Sequence, residues 1–309
     1  MRILVAGTGA VGGYFGGRLA LHGHEMIFLA RGAHGARIRE RGLTLSTPEG
    51  ERVARGRVIE TLTEARGLAA DLTLVAVKTG NLAELAPEVG ATLGPAGFAV
   101  PLENGLDSEA VLAAAVGRAR VLGATTHLSC RLAGPGHVEL LGGGAMTLAA
   151  LEPTQAPERD RLASILGEAF PCRTADDLAL MLWQKLLWNA PFNAICALTR
   201  LGPGQVLEDV ELETLVRQAM AEVTTVARAE GVALTDTAIE PMLAFTRGLP
   251  RDAPPSMLQD VLAGRVTEAD ALQGAVVTRA DRHDLAVPIH RTLLALLRGV
   301  DRTRASRVS

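Results

Sequence analysis

Cysteine is scarce in this chain, and the scarcity narrows the field. Cys130, Cys172 and Cys196 are an odd set without metal-ligand spacing. They exclude a disulfide framework and a zinc site, and read as buried free thiols of a cytoplasmic protein. Long apolar runs are missing too: none approaches the roughly 20 residues that a membrane span needs, so no membrane partner is expected. An excess of positive charge is absent. Lys plus Arg number 31 against 34 Asp plus Glu, a net charge of −3, which gives no footprint for nucleic acid. There are no internal repeats and no low-complexity tracts, and Arg2 enters a strand pattern at once, so no signal peptide is expected. His22 and His24 fall where a helix-to-strand turn is expected, so no metal is expected there. What is present is a chain of 309 residues, 48% hydrophobic and 21% charged, enough for two domains and a sizeable core.

The first seventeen residues organise the rest. Arg2–Ala6 is a short apolar run that breaks into Gly7-Thr8-Gly9-Ala10-Val11-Gly12 and then into a helix pattern through Ala20. A strand, a glycine turn and a helix opening on that turn make the dinucleotide-binding fingerprint. Gly7 permits the tight turn, Gly9 lets a pyrophosphate approach the backbone, and Gly12 lets the helix lie close to the strand. Free N–H groups at the helix start would then face the phosphates. The competing reading is a structural glycine turn. The second strand, Glu25–Ala30, ends at Arg31 rather than at an acidic residue, with Arg37 and Arg39 a turn later. A guanidinium there suits the 2′-phosphate of NADP, where a carboxylate would select NAD. Its alternative is a solvated surface arginine.

Residues 43–58 read as strand, turn, strand; Asp71–Val77 as a central parallel strand; Gly97–Leu102 as the next; and Arg120–His127 as one more. Ligands of doubly wound sheets sit beyond the carboxyl ends of the strands, which draws attention to Lys78, Asn104 and Thr126. Residues 136–141 and 145–149 read as an antiparallel hairpin closing the sheet, and residues 156–170 as a helix. The hydrophobic period changes near residue 175. The expected architecture is therefore α/β: a Rossmann-type doubly wound, mostly parallel sheet over residues 1–175, and an all-helical domain over residues 176–309.

The helical part opens on a segment carrying Lys185, Asn189 and Asn193, four residues apart and so on one helix face, among Leu182, Trp183, Leu186 and Trp188. Pro191 is expected to kink this helix and free the Leu187 carbonyl. A snorkelling lysine with two surface amides is the plainer alternative. Gln205–Glu230 reads as one long helix and Thr235–Arg247 as another. Ser256 falls near a helix start, either beside an N–H array able to hold a carboxylate or as a simple N-cap. Thr267–Asp270 fits a capping box, the bland account of Glu268 and Asp270. A last helix is expected from Pro288 to about Gly299, followed by a polar tail.

In order and spacing, these pieces resemble the ketopantoate reductase (2-dehydropantoate 2-reductase) family over nearly the whole chain. The resemblance rests on Gly7–Gly12, Val77-Lys78, Asn104-Gly105, Trp183-Gln184-Lys185-Leu186, Asn189, Asn193, Ser256–Asp260, Thr267–Asp270 and Val287-Pro288. It implies a cytoplasmic enzyme of pantothenate and coenzyme A biosynthesis that reduces a small 2-oxoacid, 2-oxopantoate, with NADPH. It implies that Lys185 is catalytic and donates the proton, and that Asn189, Asn193 and Ser256 join it in binding substrate. Glu268 and Asn104 would serve both catalysis and cofactor contact, and Lys78 and Ser129 would touch the cofactor beside Arg31 and the turn from Gly7 to Gly12. A homodimer is left open. Three positions depart from the family pattern: Glu103 before Asn104-Gly105, Pro203 where an asparagine contacts substrate in well-known members, and Gln273 where asparagine is common before Gly274. A carboxylate at 103 would repel an anionic substrate unless it points away. Rival readings are a reductase of another 2-oxoacid, a 3-hydroxyacid dehydrogenase-like enzyme, and a nucleotide-binding module without turnover.

Overall fold

The computed structural model describes residues 1–308 and divides into two compact units. The first comprises Met1–Glu103 and Asp107–Leu178; the second comprises Asn104–Leu106 and the chain from Ala179 onward.

In the first unit the chain runs β1 (Arg2–Ala6), α1 (Ala10–Leu21), β2 (Glu25–Leu29), α2 (Gly32–Arg41), β3 (Leu43–Thr47), β4 (Gly50–Ala54), β5 (Arg57–Ile59) and β6 (Ala70–Val75). It continues with α3 (Leu82–Thr92), β7 (Leu93–Pro101), α4 (Ser108–Val116), β8 (Leu122–Gly134), β9 (His137–Ala150), α5 (Ala156–Gly167) and β10 (Cys172–Ala175). One sheet is all parallel in the order β5-β2-β1-β6-β7. Its strands are apolar at consecutive positions because both faces are covered. Ile3, Val5, Met26 and Phe28 enter one core, and Leu4, Ala6, Ile27 and Leu29 the other. This is the expected doubly wound sheet.

A second sheet, β10-β9-β3-β4 with β8 on the other edge of β9, shares the first of these cores. Helix α1 lies between the two sheets, which explains its four internal glycines despite their cost of about 1 kcal/mol each in a helix. A Cβ on Gly16 would stand 2.6 Å from Val5 on one side, and one on Gly17 would stand 2.6 Å from Leu45 on the other. The backbone of α1 therefore packs where side chains would hold it off.

The expected hairpin over residues 136–149 is not formed. Residues 137–150 are one strand, β9, whose antiparallel partner is β8, and the turn between them is Pro135-Gly136. Gly143 and Gly144 have φ of +73° and +113° and sit where the register with β8 shifts. They bulge the strand rather than end it. Thr126, expected at a strand end, is paired with Met146 in the middle of this ladder and is buried.

The second unit is helical: α6 (Leu178–Thr199), α7 (Pro203–Glu208), α8 (Val210–Ala229), α9 (Ile239–Arg247), α10 (Ser256–Leu262), α11 (Ala275–Arg282) and α12 (Pro288–Val308). A wide π-type turn spans Asp270–Gly274. The expected single helix from Gln205 is broken at Asp209, whose carboxylate accepts the N–H groups of Glu211 and Leu212 and starts α8 afresh. The last helix does not stop near Gly299 but continues through most of the expected tail; Ser309 lies outside the described residues.

Candidate active site

Two groups of residues stand out, one in each unit. In the first, β1 runs into Gly7, whose φ of +104° and whose approach to the Ala76 carbonyl (2.6 Å from an added Cβ) admit no side chain. Gly12 is pressed between α1 and β1: a Cβ there would meet the Gly7 carbonyl oxygen at 2.2 Å and Val5 at 2.9 Å. Gly9 differs, since a Cβ there would meet nothing within 4 Å. It caps α1, and the first-turn N–H groups of Ala10, Val11 and Gly12 have no acceptor within the helix. Thr8 is buried and its hydroxyl has no hydrogen-bond partner. An open, N–H-lined cradle with an orphaned hydroxyl fits the phosphates of a dinucleotide.

Arg31 occupies the position just before α2 and is exposed. Arg37 and Arg39, its neighbours in the sequence argument, are paired with Glu40 at 3.7 Å and Glu60 at 3.2 Å. Lys78 is exposed beyond β6. Ser129 lies on β8 opposite Gly142, its hydroxyl buried without a partner. Glu103 accepts a hydrogen bond at 3.3 Å from the N–H of Val77, so its carboxylate is engaged by the segment after β6.

The second group lies within the helical unit. Helix α6 carries Lys185, half-buried, then Asn189 and Asn193, 9% and 1% exposed. Such burial in an apolar core is costly unless the amides are bonded, and they are. The Asn193 side-chain oxygen accepts the N–H of Met257 at 3.1 Å and the Ser256 hydroxyl at 3.3 Å. Asn189 donates to the side-chain oxygen of Asn104 at 3.3 Å, and Asn104 donates to the Glu268 carboxylate at 3.2 Å. Gly105 makes this possible: with φ +113° it passes so close to the π-type turn that a Cβ would lie 2.9 Å from the Ala271 carbonyl. Asn104 thus belongs with Glu268, 164 residues further along the chain.

Both bland alternatives in this region fail. Ser256 is the first residue of α10, whose cap position is Pro255, and its exposed hydroxyl turns to Asn193. Thr267 does not form a capping box; its N–H and hydroxyl bond Asp301 at 3.1 and 2.7 Å, while Glu268 reaches Asn104. Pro191 lies inside α6, and the carbonyl met by a side chain is that of Ala190, not Leu187: it accepts from the Gln273 amide at 2.6 Å. Gln273 is fully buried, and its own side-chain oxygen has no partner. Pro203, the other departure, starts α7.

A compositional signal was there to be read. Lys78 and Lys185 are the only lysines in the chain, every other cationic side chain of the Lys/Arg pair being arginine. Asparagines occur only at 81, 104, 189 and 193, and three of these four are in the helical cluster. By contrast nothing about His34 marked it; its ring bonds the Thr8 carbonyl. The cysteines are free: Cys196 is buried, whereas Cys130 and Cys172 are half-buried rather than buried as expected. Desolvation pushes the Cys130 and Cys196 thiols up to about 12 and Cys172 to about 11, so none is a ready nucleophile. Among the described residues no group of three His, Cys, Asp or Glu could hold a metal, and no helix is long and apolar enough to cross a membrane.

Family comparison matches residues 3–153 to "Ketopantoate reductase PanE/ApbA" and residues 177–301 to its C-terminal domain. The chain belongs to the ketopantoate reductase family. It is thereby an oxidoreductase of a pyridine-nucleotide-dependent kind. It is 35% identical to a 2-dehydropantoate 2-reductase of Halobacterium salinarum, across 96% of this chain and 98% of that one. To the enzyme of the same name from Archaeoglobus fulgidus it is 29% identical, across 97% and 98%. Among solved structures, a ketopantoate reductase of this family from Ralstonia eutropha superposes with a TM-score of 0.89 at 32% identity, covering 99% of this chain and 100% of that one. A D-mandelate dehydrogenase solved with NADH superposes at 0.92 but at 23% identity, covering 99% and 100%, a likeness of fold alone.

Proposed function

We propose that this enzyme reduces 2-dehydropantoate to pantoate with NADPH, in the cytoplasmic route to pantothenate and coenzyme A. The observation that carries the reading is helix α6, where Lys185, Asn189 and Asn193 share a face, Asn189 being bonded to the Asn104–Glu268 pair and Asn193 to Ser256. NADPH, when bound, supplies the hydride. The turn from Gly7 to Gly12 would hold its pyrophosphate, Arg31 its 2′-phosphate, and Lys78 and Ser129 would make further contacts. As hydride reaches the C2 carbonyl, charge develops on its oxygen. Lys185, as ammonium, stabilises that charge and gives up the proton. Asn189 and Asn193 orient the oxoacid, and the exposed Ser256 hydroxyl binds its carboxylate or hydroxyl group. Glu268 holds Asn104, and Asn104 holds Asn189, so each amide is presented in one orientation. The Glu103 carboxylate accepts the Val77 N–H, a bond that supports its being turned away from an anionic substrate.

The test is steady-state NADPH oxidation with 2-dehydropantoate and a panel of other 2-oxoacids. Lys185→Ala should lose at least about 10²-fold in kcat, the scale of a general acid. Near wild-type turnover by that variant would remove Lys185 from the reaction. Preference for another oxoacid would change the substrate, and tight NADPH binding without turnover on any would make the chain a binding module.

A further inference from the structure

His34 stands on α2 one turn beyond Arg31 and is half-buried. Its Nε2 lies 2.7 Å from the carbonyl oxygen of Thr8. A carbonyl only accepts, so Nε2 carries the hydrogen. Its Nδ1 lies 3.0 Å from the backbone nitrogen of Gly136, a group that only donates, so Nδ1 is bare. Two backbone partners of opposite kind thus hold the ring neutral and in one tautomer. Three separate segments meet on it: the glycine turn, the start of α2 and the β8–β9 turn.

We propose that His34 is a positioning residue of the nucleotide site, a neutral brace that holds the glycine turn and Arg31 in register for the phosphates of a bound dinucleotide. The proposal rests on the pyridine-nucleotide reading above and deepens it. Thr8 stands between Gly7 and Gly9, so its carbonyl fixes the path of the very turn whose N–H groups line the cradle. Arg31, at the cap of the same helix with its carbonyl bonded by the Gly35 N–H at 3.1 Å, is carried by the same brace.

The brace is sensitive to acid by construction. A proton on Nδ1 would set two donors, N–H against N–H, at the Gly136 contact. Burial already pushes His34 below the ordinary histidine value, while the bond to Thr8 acts in the opposite direction. The charged and titratable groups around it are Arg31 just before α2, Arg37 on α2, whose stem lies against Gly136 and whose guanidinium pairs with Glu40 at 3.7 Å, and His137 at the start of β9, itself bonded to Ser46 at 2.7 Å. The glycine turn brings none.

The experiment is NADPH binding by fluorescence titration from about pH 5 to about pH 8, on wild type, His34→Ala and His34→Gln. Ring-nitrogen NMR of the ligand-free protein accompanies it. Wild type should show the Nε2–H neutral tautomer near neutral pH and should lose affinity in acid with a single proton. His34→Ala should bind roughly tenfold more weakly, the size of two net hydrogen bonds, with that acid dependence gone. The glutamine amide can donate to Thr8 and accept from Gly136 yet does not titrate, so His34→Gln should recover affinity without the acid dependence. If His34→Ala is folded by thermal melting and binds NADPH like wild type, or the ring is of the Nδ1–H tautomer, the brace is wrong. If His34→Ala does not fold, His34→Gln and the NMR tautomer decide. Wild type that binds neither NADPH nor NADH overturns the cofactor reading itself, an outcome separate from a normal wild type with an indifferent His34→Ala.

Discussion

Two glycines three residues apart should respond to the same substitution in opposite ways. Gly12→Ala places a Cβ 2.2 Å from the Gly7 carbonyl oxygen and 2.9 Å from Val5. Real contacts are longer by about 1 Å, so α1 must lift off β1. Overpacking of this kind costs about 1–3 kcal/mol, offset in part by the better helix propensity of alanine. At about 2–4 °C per kcal/mol, Tm should fall by roughly 5 °C. Gly9→Ala meets nothing within 4 Å, and its backbone, φ −79° and ψ −152°, is open to an L residue. Lost capping and reduced unfolded-state entropy oppose each other, each worth less than about 1 kcal/mol, so Tm should hold. The new methyl instead takes the space into which a phosphate would come, and NADPH binding should weaken at least about tenfold, or about 1.4 kcal/mol. Circular dichroism melts and fluorescence titration read the two effects separately. The reasoning is refuted if Gly9→Ala melts as early as Gly12→Ala, or if it binds NADPH as tightly as wild type.

Arg31→Ala should weaken NADPH far more than NADH, and equal losses in paired titrations would take Arg31 away from the 2′-phosphate. Asn193→Ala leaves the buried Met257 N–H without its acceptor and should cost about 1–3 kcal/mol in denaturant unfolding. Ser256→Ala, at an exposed hydroxyl, should cost under about 0.5 kcal/mol there while raising KM for the oxoacid. Glu222 gives an acid limb to stability. Burial pushes its carboxyl up, but the His290 ring and the N–H groups of Ile289 and His290 outweigh that and hold it below the usual carboxylate value. The unfolded chain therefore binds this proton first; the stabilisation is complete above the unfolded carboxylate value and is lost as pH falls through the folded one. Glu222→Gln should flatten that limb in melts run down the acid range, and an unchanged acid profile would count against the pairing.

What the sequence by itself determined is what neighbouring residues encode. Gly7, Gly9 and Gly12 after an apolar strand dictated a turn and a close helix–strand contact, because steric demands of that kind are local. The four-residue spacing of Lys185, Asn189 and Asn193 placed them on one face, because helical period is local too. Tertiary structure alone decided the rest. Glycines 142–144 could end a strand or bulge it, and only pairing with β8 made them a bulge. Glu268 could cap its own helix, but Asp301 takes Thr267 and Asn104 takes Glu268, choices made by residues far away in the chain. His34 carried no mark in the sequence, since its two partners are backbone groups, and a backbone group is the same whatever residue bears it.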